Sequence, residues 1–231
     1  MNMLIEPFTL MIQSTASFFG NSYGVAIIVL TLLIRLLLAP LMIRQYVRQF
    51  DVKQKMDKLK PELNDIQKRM SETKDAAEKQ KIQMEMMGLY KKHNVNPFSA
   101  VGCLPIIVQM PILMGFYYAI RSSHEIATHH FLWFNLGHTD LVLTIIAGVV
   151  YFLQFKISQK MMPNVGGAEQ QSSLQWIGLM SPIMIIFASL STSAALPLYW
   201  VVGGLFLIVQ TYFSHMLLQR IKKQTPAVSK A

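Results

Sequence analysis

The stretch LTLLIRLLLAPL, residues 30–41, places a single arginine, Arg35, in a run whose only other polar residue is Thr31. The run belongs to the longer apolar segment 23–43, which is long enough to cross the hydrocarbon core of a membrane as a helix. A charged side chain near the middle of such a helix costs at least about 2.5 kcal/mol on insertion scales. The rest of the chain must therefore provide an environment that offsets this cost.

The chain as a whole is rich in apolar residues and poor in charge. Of its 231 residues, 52% are hydrophobic and 14% are charged, whereas soluble proteins carry about 25% charged residues. Residues 1–22 repeat apolar side chains at helical spacing, which predicts an amphipathic helix lying on the membrane surface. The remaining pattern predicts an all-α integral membrane protein with five transmembrane helices, at residues 23–43, 98–120, 141–162, 174–196 and 197–218.

Basic residues are distributed unevenly among the connecting segments. The segment 44–97 carries 13 of the 21 lysines and arginines, residues 1–22 carry none, and the segment 121–140 carries one. Because basic segments stay in the cytoplasm, this predicts an extracytoplasmic N-terminus, a cytoplasmic loop at 163–173 and a basic cytoplasmic tail at 219–231. The net charge of +9 is explained by this rule, so we expect no specific recognition of nucleic acid.

The cytoplasmic segment 44–97 has a helical pattern of its own. Its apolar residues are spaced 4-3-4-3-4 from Val52 to Met70, and the 4-3 spacing resumes from Ile82 to Leu89. Such a seam is typical of a coiled coil. We therefore expect a coiled-coil hairpin of two antiparallel helices. At Pro61 the first of these either kinks or gives way to a new helix.

No acidic residue inside a predicted span is available to pair with Arg35. Of the 12 aspartates and glutamates, eight lie in the segment 44–97 and the others lie in further segments outside the spans. Asp140 caps the outer start of the third span, on the wrong side for Arg35. Two interpretations remain open: the side chain snorkels towards the inner headgroups, or it faces a hydrated cavity that is open to the cytosol.

The depth of other polar residues favours the cavity. At 1.5 Å per residue, Arg35 lies roughly 13 Å from the inner boundary, Gln154 about 12 Å, Gln210 about 15 Å and Gln109 about 16 Å. Thr31 lies one turn from Arg35 on the same helix face. A single glutamine can merely join two helices, but polar groups in a membrane face the bundle interior or water. Together these residues predict a shared hydrophilic groove.

Several stretches resemble the YidC/Oxa/Alb family of membrane protein insertases. Residues 95–120, VNPFSAVGCLPIIVQMPILMGFYYAI, are similar to the second core helix of that family, and MEMMGLYKKHNVNP just before them is similar to the exit of its coiled coil. The stretches IRLLLAPL and ALPLYWVVGGLFLIVQ, residues 34–41 and 195–210, resemble the first and last core helices. The five-helix form without a large extracytoplasmic domain resembles the Gram-positive bacterial YidC type, which implies the bacterial plasma membrane as the location.

The resemblance implies a mechanism and a set of partners. In the family, the arginine that Arg35 matches lies in a groove open to the cytoplasm and to lipid, and draws in the acidic tail of a nascent membrane protein. By position, Thr31, Gln154 and Trp200 are implied as its polar neighbours or as the groove wall. The hairpin is implied in activity and substrate capture, and the loops and tail in contacts with the ribosome and the Sec translocon.

Other classes of function are less consistent with the sequence. The single cysteine, Cys103, excludes a disulfide framework, no GxxxxGK[ST] nucleotide motif is present, and we expect no enzyme activity, metal site or cofactor. One alternative is a small solute or ion transporter that uses the same polar cavity. A transporter often has internal repeats, and none is evident. Another alternative is a scaffold protein whose hairpin is the active part.

Overall fold

The computed structural model describes residues 2–95, 104–161 and 168–224. The helices are α1 (Asn2–Phe18), α2 (Tyr23–Glu72), α3 (Ala76–Lys92), α4 (Leu104–Ser122), α5 (His124–Thr128), α6 (Leu141–Met161), α7 (Ala168–Leu190) and α8 (Ala195–Gln224), and the strands are β1 (His130–Phe131) and β2 (Phe134–Asn135). Residues 98–103 of the second predicted span, 163–167 of the predicted loop and 225–231 of the predicted tail lie outside the described residues.

The described residues are mostly helical, as predicted for an all-α membrane protein. Among them, three helices are long and apolar enough to cross a membrane: α2, α6 and the part of α8 from Ala195 to Arg220. A shorter apolar stretch, Leu179–Leu190, lies in α7. The last helix begins at Ala195 rather than at the predicted residue 197. Pro197 is therefore accommodated in the first turn, where no intrahelical partner is needed for its missing N–H.

The helix α2 is continuous over 50 residues. The predicted first span and the first arm of the predicted hairpin therefore form one helix, with no break at residue 44. No new helix starts at Pro61 either. Proline removes only one backbone hydrogen bond, and the buried side chains of Leu59 and Leu63 on either side hold the helix against its neighbour.

The helices α2 and α3 pack side by side as a hairpin. Their buried contacts are the predicted seam residues Met56, Leu59 and Leu63, joined by Tyr90, which the heptad spacing did not include. The side chain of Asp75 caps α3 by accepting a hydrogen bond of 3.1 Å from the backbone N–H of Ala77. These contacts join α2 to α3 over only a short length.

An exposed ion pair crosses the hairpin. Arg69 Nη2 lies 2.7 Å from Glu85 Oε1, and the hydrogen bond from Arg69 lowers the pKa of the Glu85 carboxyl below its usual value. Both side chains are exposed to solvent, so the pair adds little stability. The hairpin depends mainly on its apolar seam.

The opposite end of the bundle is filled by a compact apolar core. We call it the loop end, because it carries α1 and the segment 123–140. Phe116 and Leu136 are fully buried there, and Tyr199 stacks on Phe116 with 5.0 Å between ring centroids. The backbone N–H of Ala194 donates a 2.8 Å hydrogen bond to the carbonyl of His138, which ties the loop to the start of α8.

The helix α1 lies within the segment for which the amphipathic pattern predicted a helix, and its buried face meets protein. Ile12 and Ala16 are buried in the loop-end core, and the ring of Phe8 lies 5.6 Å from that of Phe116. Phe18 remains 84% exposed. Part of the apolar face of α1, which the sequence pattern assigned to the membrane surface, therefore packs against the protein core instead.

The seam predicts a test of the hairpin. Leu63 is 0% exposed, so Leu63→Ala should destabilise the pairing of α2 and α3 by about 2 to 5 kcal/mol. Hydrogen–deuterium exchange of residues 76–92 in nanodiscs should then become faster. Glu85→Ala is the control, and it should change the exchange only slightly because the ion pair is exposed. If the two substitutions increased the exchange rate equally, the claim that the apolar seam is the main stabilising contact of the hairpin would be wrong.

Candidate functional site

A cavity of about 560 Å³ lies between the loop-end core and the hairpin. Along α2 the order is plain, because core residues 26–30 come first, cavity residues 35–49 follow, and the hairpin seam occupies residues 56–66. The helices α4, α6, α7 and α8 complete the walls. The lining residues are Arg35, Leu38, Met42, Gln45, Tyr46, Gln49, Val108, Gln109, Met110, Leu113, Tyr151, Gln154, Ser158, Met184, Ile185, Ala188, Trp200, Leu207, Gln210, Thr211 and Ser214.

The structure places Arg35 on the cavity wall, half-buried, at the edge nearest the loop-end core. It makes no ion pair with any described residue, since the ion pairs there all lie within the hairpin. The described lining contains no aspartate or glutamate either. The guanidinium group therefore lacks a resident carboxylate among the residues described.

Four other predicted site residues reach the same cavity. Gln109, Gln154, Gln210 and Trp200 all line it, from three different helices. The Gln109 side-chain amide donates a hydrogen bond to the hydroxyl of the buried Tyr199, which fixes it against α8. Counting residues along the predicted spans had favoured a common groove for the three glutamines, whereas Trp200 was implied only by the family resemblance.

Thr31 is the predicted site residue that the structure does not bring to the cavity. It is fully buried, and its hydroxyl donates a 2.6 Å hydrogen bond to the carbonyl of Ile27 one turn earlier in the same helix. Thr31 lies about one helical turn, or 5.4 Å, closer to the loop end than Arg35 does. Apolar side chains already fill the space there. A threonine satisfied by its own helix needs no polar neighbour.

Sequence reasoning missed a second polar group on α2. Gln45, Tyr46 and Gln49 line the cavity beyond Arg35, and the Gln45 Oε1 and Tyr46 hydroxyl atoms are buried with no hydrogen-bond partner among the described residues. Because the predicted span ends at residue 43, these residues fall in the predicted hairpin segment. The signal was present, since these residues continue the helical face of Arg35 by whole turns.

The cavity is closed towards the loop end. The side chains of Ile27, Phe116 and Tyr199 are fully or almost fully buried there, and the described lining stops at Arg35 and Trp200. Trp200 belongs to both regions, as it lines the cavity and is buried in the core. The arrangement is a recess with its cation near the closed end.

The polar groups of this recess are one guanidinium together with several amides and hydroxyls. The guanidinium offers up to five donors, while the glutamine amides and serine and tyrosine hydroxyls both donate and accept. The described residues contain no group of three histidine, cysteine, aspartate or glutamate side chains placed to hold a metal ion.

The chain is similar to a family of bacterial membrane proteins. The family model described as 60Kd inner membrane protein matches residues 14–223. The chain is 51% identical over 215 residues to membrane protein insertase YidC 2 of Listeria monocytogenes, covering 93% of this chain and 76% of that protein.

Two further relatives have similar names. Membrane protein insertase MisCB of Bacillus subtilis is 42% identical over 224 residues, covering 95% of this chain and 81% of that protein. Membrane protein insertase YidC of Staphylococcus haemolyticus is 43% identical over 231 residues, covering 98% and 78%. The chain therefore belongs to the 60Kd inner membrane protein family, as a multi-pass bacterial membrane protein of the Gram-positive YidC insertase type.

Proposed function

We propose that this protein inserts other proteins into the membrane by binding the acidic tail of an incoming chain at Arg35. The observation that carries the proposal is the cation on the wall of a closed-ended recess, without a carboxylate partner among the described residues. Relatives that share 41–51% of their residues with this chain are named membrane protein insertases, which supports the same class of function here.

The recess strengthens the attraction between Arg35 and a carboxylate. Two unit charges 4 Å apart attract by about 1 kcal/mol in water, but by about 4 kcal/mol at an effective dielectric constant of 20. The amide and hydroxyl groups of Gln154, Gln210 and Ser158 can solvate the tail as it enters. The pairing remains reversible because the recess is open to water rather than sealed.

Release of the substrate is driven by its apolar segment. Met110 and Met184 line the recess from α4 and α7, and both are also exposed at the surface of the bundle. Methionine is flexible and fits varied apolar partners, so this rim suits a transmembrane segment passing from the recess into lipid. The membrane potential, worth about 2.3 kcal/mol per charge per 100 mV, helps to pull an acidic tail outwards.

The topology that fits this mechanism has five transmembrane helices, with the N-terminus outside and the C-terminus in the cytoplasm. The loop end is then extracytoplasmic, and the α2–α3 hairpin projects into the cytoplasm with its excess of basic residues. The ribosome and the Sec translocon are proposed partners of the cytoplasmic hairpin, loop and tail. The closed end of the recess prevents leakage across the membrane.

The alternative function is transport of a small solute or ion through the same cavity. Alternating access would require the loop end to open, and the buried ring contacts of Phe116 with Phe8 and Tyr199 oppose this. A scaffold protein acting only through its hairpin would make no use of Arg35. Both alternatives differ from the insertase in measurable ways.

The charge-capture mechanism predicts the effect of replacing Arg35. In vesicles containing the purified protein, insertion of a single-spanning substrate with an acidic tail is measured by protection of the tail from protease. Arg35→Ala should reduce insertion at least about tenfold, since each 1.4 kcal/mol of lost binding is a factor of ten. Arg35→Lys should retain part of the activity.

Neutralising the acidic residues of the substrate should mimic the loss of the arginine. If Arg35→Ala inserts the acidic-tailed substrate as well as the unaltered protein does, the mechanism is wrong. A scaffold role predicts that Arg35→Ala has no effect and that deletion of residues 53–92 abolishes function.

Access to the recess separates the insertase from the transporter. With Cys103 replaced by serine, Gln154→Cys should react with a membrane-impermeant maleimide added from the cytoplasmic side. No labelling is expected from the outer side, because the loop-end core closes the recess. The control is Trp133→Cys in the exposed turn between β1 and β2, which should label from the outside only. Labelling of Gln154→Cys from both sides would favour a transporter.

A further inference from the structure

Arg35 lies against a position of α8 that has no side chain. A Cβ atom added at Gly203 would lie 2.9 Å from Nη2 of Arg35, 3.3 Å from Nε and 3.5 Å from Cζ. In real proteins, Cβ atoms essentially never come within 3.0 Å of such a neighbouring atom, so the first of these distances would be a clash. The guanidinium therefore occupies space that any residue other than glycine would fill.

Gly203 is a gap in a continuous row of side chains. Trp200, Leu207, Gln210 and Ser214 line the recess from α8 at intervals of whole helical turns. Gly203 lies on the same face between the first two of them, and it is buried. The gap, which we call the Gly203 notch, is bounded by Trp200 and Leu207 along α8 and is filled by the guanidinium from α2.

The adjacent glycine has a different contact. A Cβ at Gly204 would lie 2.7 Å from Cγ1 of Val150 and 3.2 Å from Cε2 of Tyr151. Gly204 thus permits the close approach of α6 and α8, as small residues do between membrane helices. Helix packing explains Gly204, but it does not explain Gly203, whose nearest neighbour is a charged side chain.

We infer that Gly203 is a positioning residue for Arg35, and this inference rests on the proposed function. The two nitrogens nearest to Gly203 are Nη2 and Nε, so that edge of the guanidinium is turned towards α8 and Nη1 lies on the far side. The notch fixes how far the cation extends across the recess and which nitrogens an arriving carboxylate meets. Two parallel hydrogen bonds to a carboxylate depend on this orientation.

Gly203→Ala should displace the guanidinium without unfolding the protein. The clashing atoms are the end of a long, flexible side chain, which can shift more easily than backbone, and alanine is a better helix former than glycine. The displaced cation is presented to the substrate from a different place and in a different orientation. The expected phenotype is a partial form of the Arg35→Ala defect.

The experiment uses the same vesicle assay with the full chain and two substrates, one with an acidic tail and one with a neutral tail. Gly203→Ala should lower insertion of the acidic-tailed substrate about fivefold, the scale of coupling between contacting residues. The low insertion of the neutral-tailed substrate should not change. Leu205→Ala, at an exposed position two residues further along, is the control and should leave both substrates unaffected.

Combination with Arg35→Ala separates positioning from a structural role. In the Arg35→Ala background, Gly203→Ala should cause no further loss, because there is no guanidinium left to displace. If Gly203→Ala alone lowers the apparent melting temperature, the double variant should recover it for the same reason. If the melting temperature of the double variant stays low, the added methyl group clashes with a residue other than Arg35, and the inference is overturned.

The remaining outcomes are equally decisive. If Arg35→Ala abolishes insertion while Gly203→Ala is as active as the unaltered protein, the positioning role is wrong and the proposed function stands. If Gly203→Ala reduces insertion of both substrates by the same factor, the glycine is structural and the inference is also overturned. If Arg35→Ala has no effect, the proposed function itself fails.

Discussion

A guanidinium placed within a membrane helix, without a carboxylate among the described residues to neutralise it, is the constraint on which the other features depend. Its charge must be solvated, which requires polar walls at the same depth, and glutamines on α4, α6 and α8 provide them. Its bulk must also be accommodated between helices, which requires the missing side chain at Gly203. Finally, in the proposed mechanism the water in the recess must not cross the bilayer, and the apolar core at the loop end closes that route.

The helix α2 connects these requirements in a single element. It contributes buried apolar residues to the loop-end core, then the cation and the polar lining of the recess, and finally the seam of the hairpin. Because it has no break over 50 residues, a displacement of the hairpin acts on the same helix that carries Arg35. The hairpin has a short seam and exposed ion pairs, so it belongs to the less stable part of the molecule, where motion is expected.

Much of this arrangement follows from helical periodicity alone. The seam from Met56 to Leu63 was predictable because a spacing of 3.5 residues defines a packed face. Residue counting favoured a common cavity for Arg35, Gln109 and Gln154, because every helical residue rises by the same 1.5 Å, and all three line one cavity. Residues that depend on a neighbouring element were not predictable in this way.

Thr31, Gly203 and Ile12 illustrate that limit. The sequence shows Thr31 on the face of Arg35, but not that its hydroxyl is satisfied by its own backbone. It shows a glycine pair in α8, but not that Gly203 meets a guanidinium whereas Gly204 meets a valine. It shows an amphipathic α1, but not that Ile12 is buried by protein. Each depends on which residue lies across the interface, and a single sequence does not contain that pairing.

The choice of amides rather than carboxylates around Arg35 has a thermodynamic reason. A resident acid would offset the cost of the buried charge, but removing one partner of a buried ion pair costs about 3 to 5 kcal/mol. A substrate would have to supply that free energy before it could bind. The amide and hydroxyl groups that line the recess with Arg35 offer it dipoles, and in the proposed mechanism they carry no charge that competes with an incoming carboxylate. In the proposed mechanism, the recess thus lowers the cost of holding the cation in the membrane while leaving it available for a transient partner.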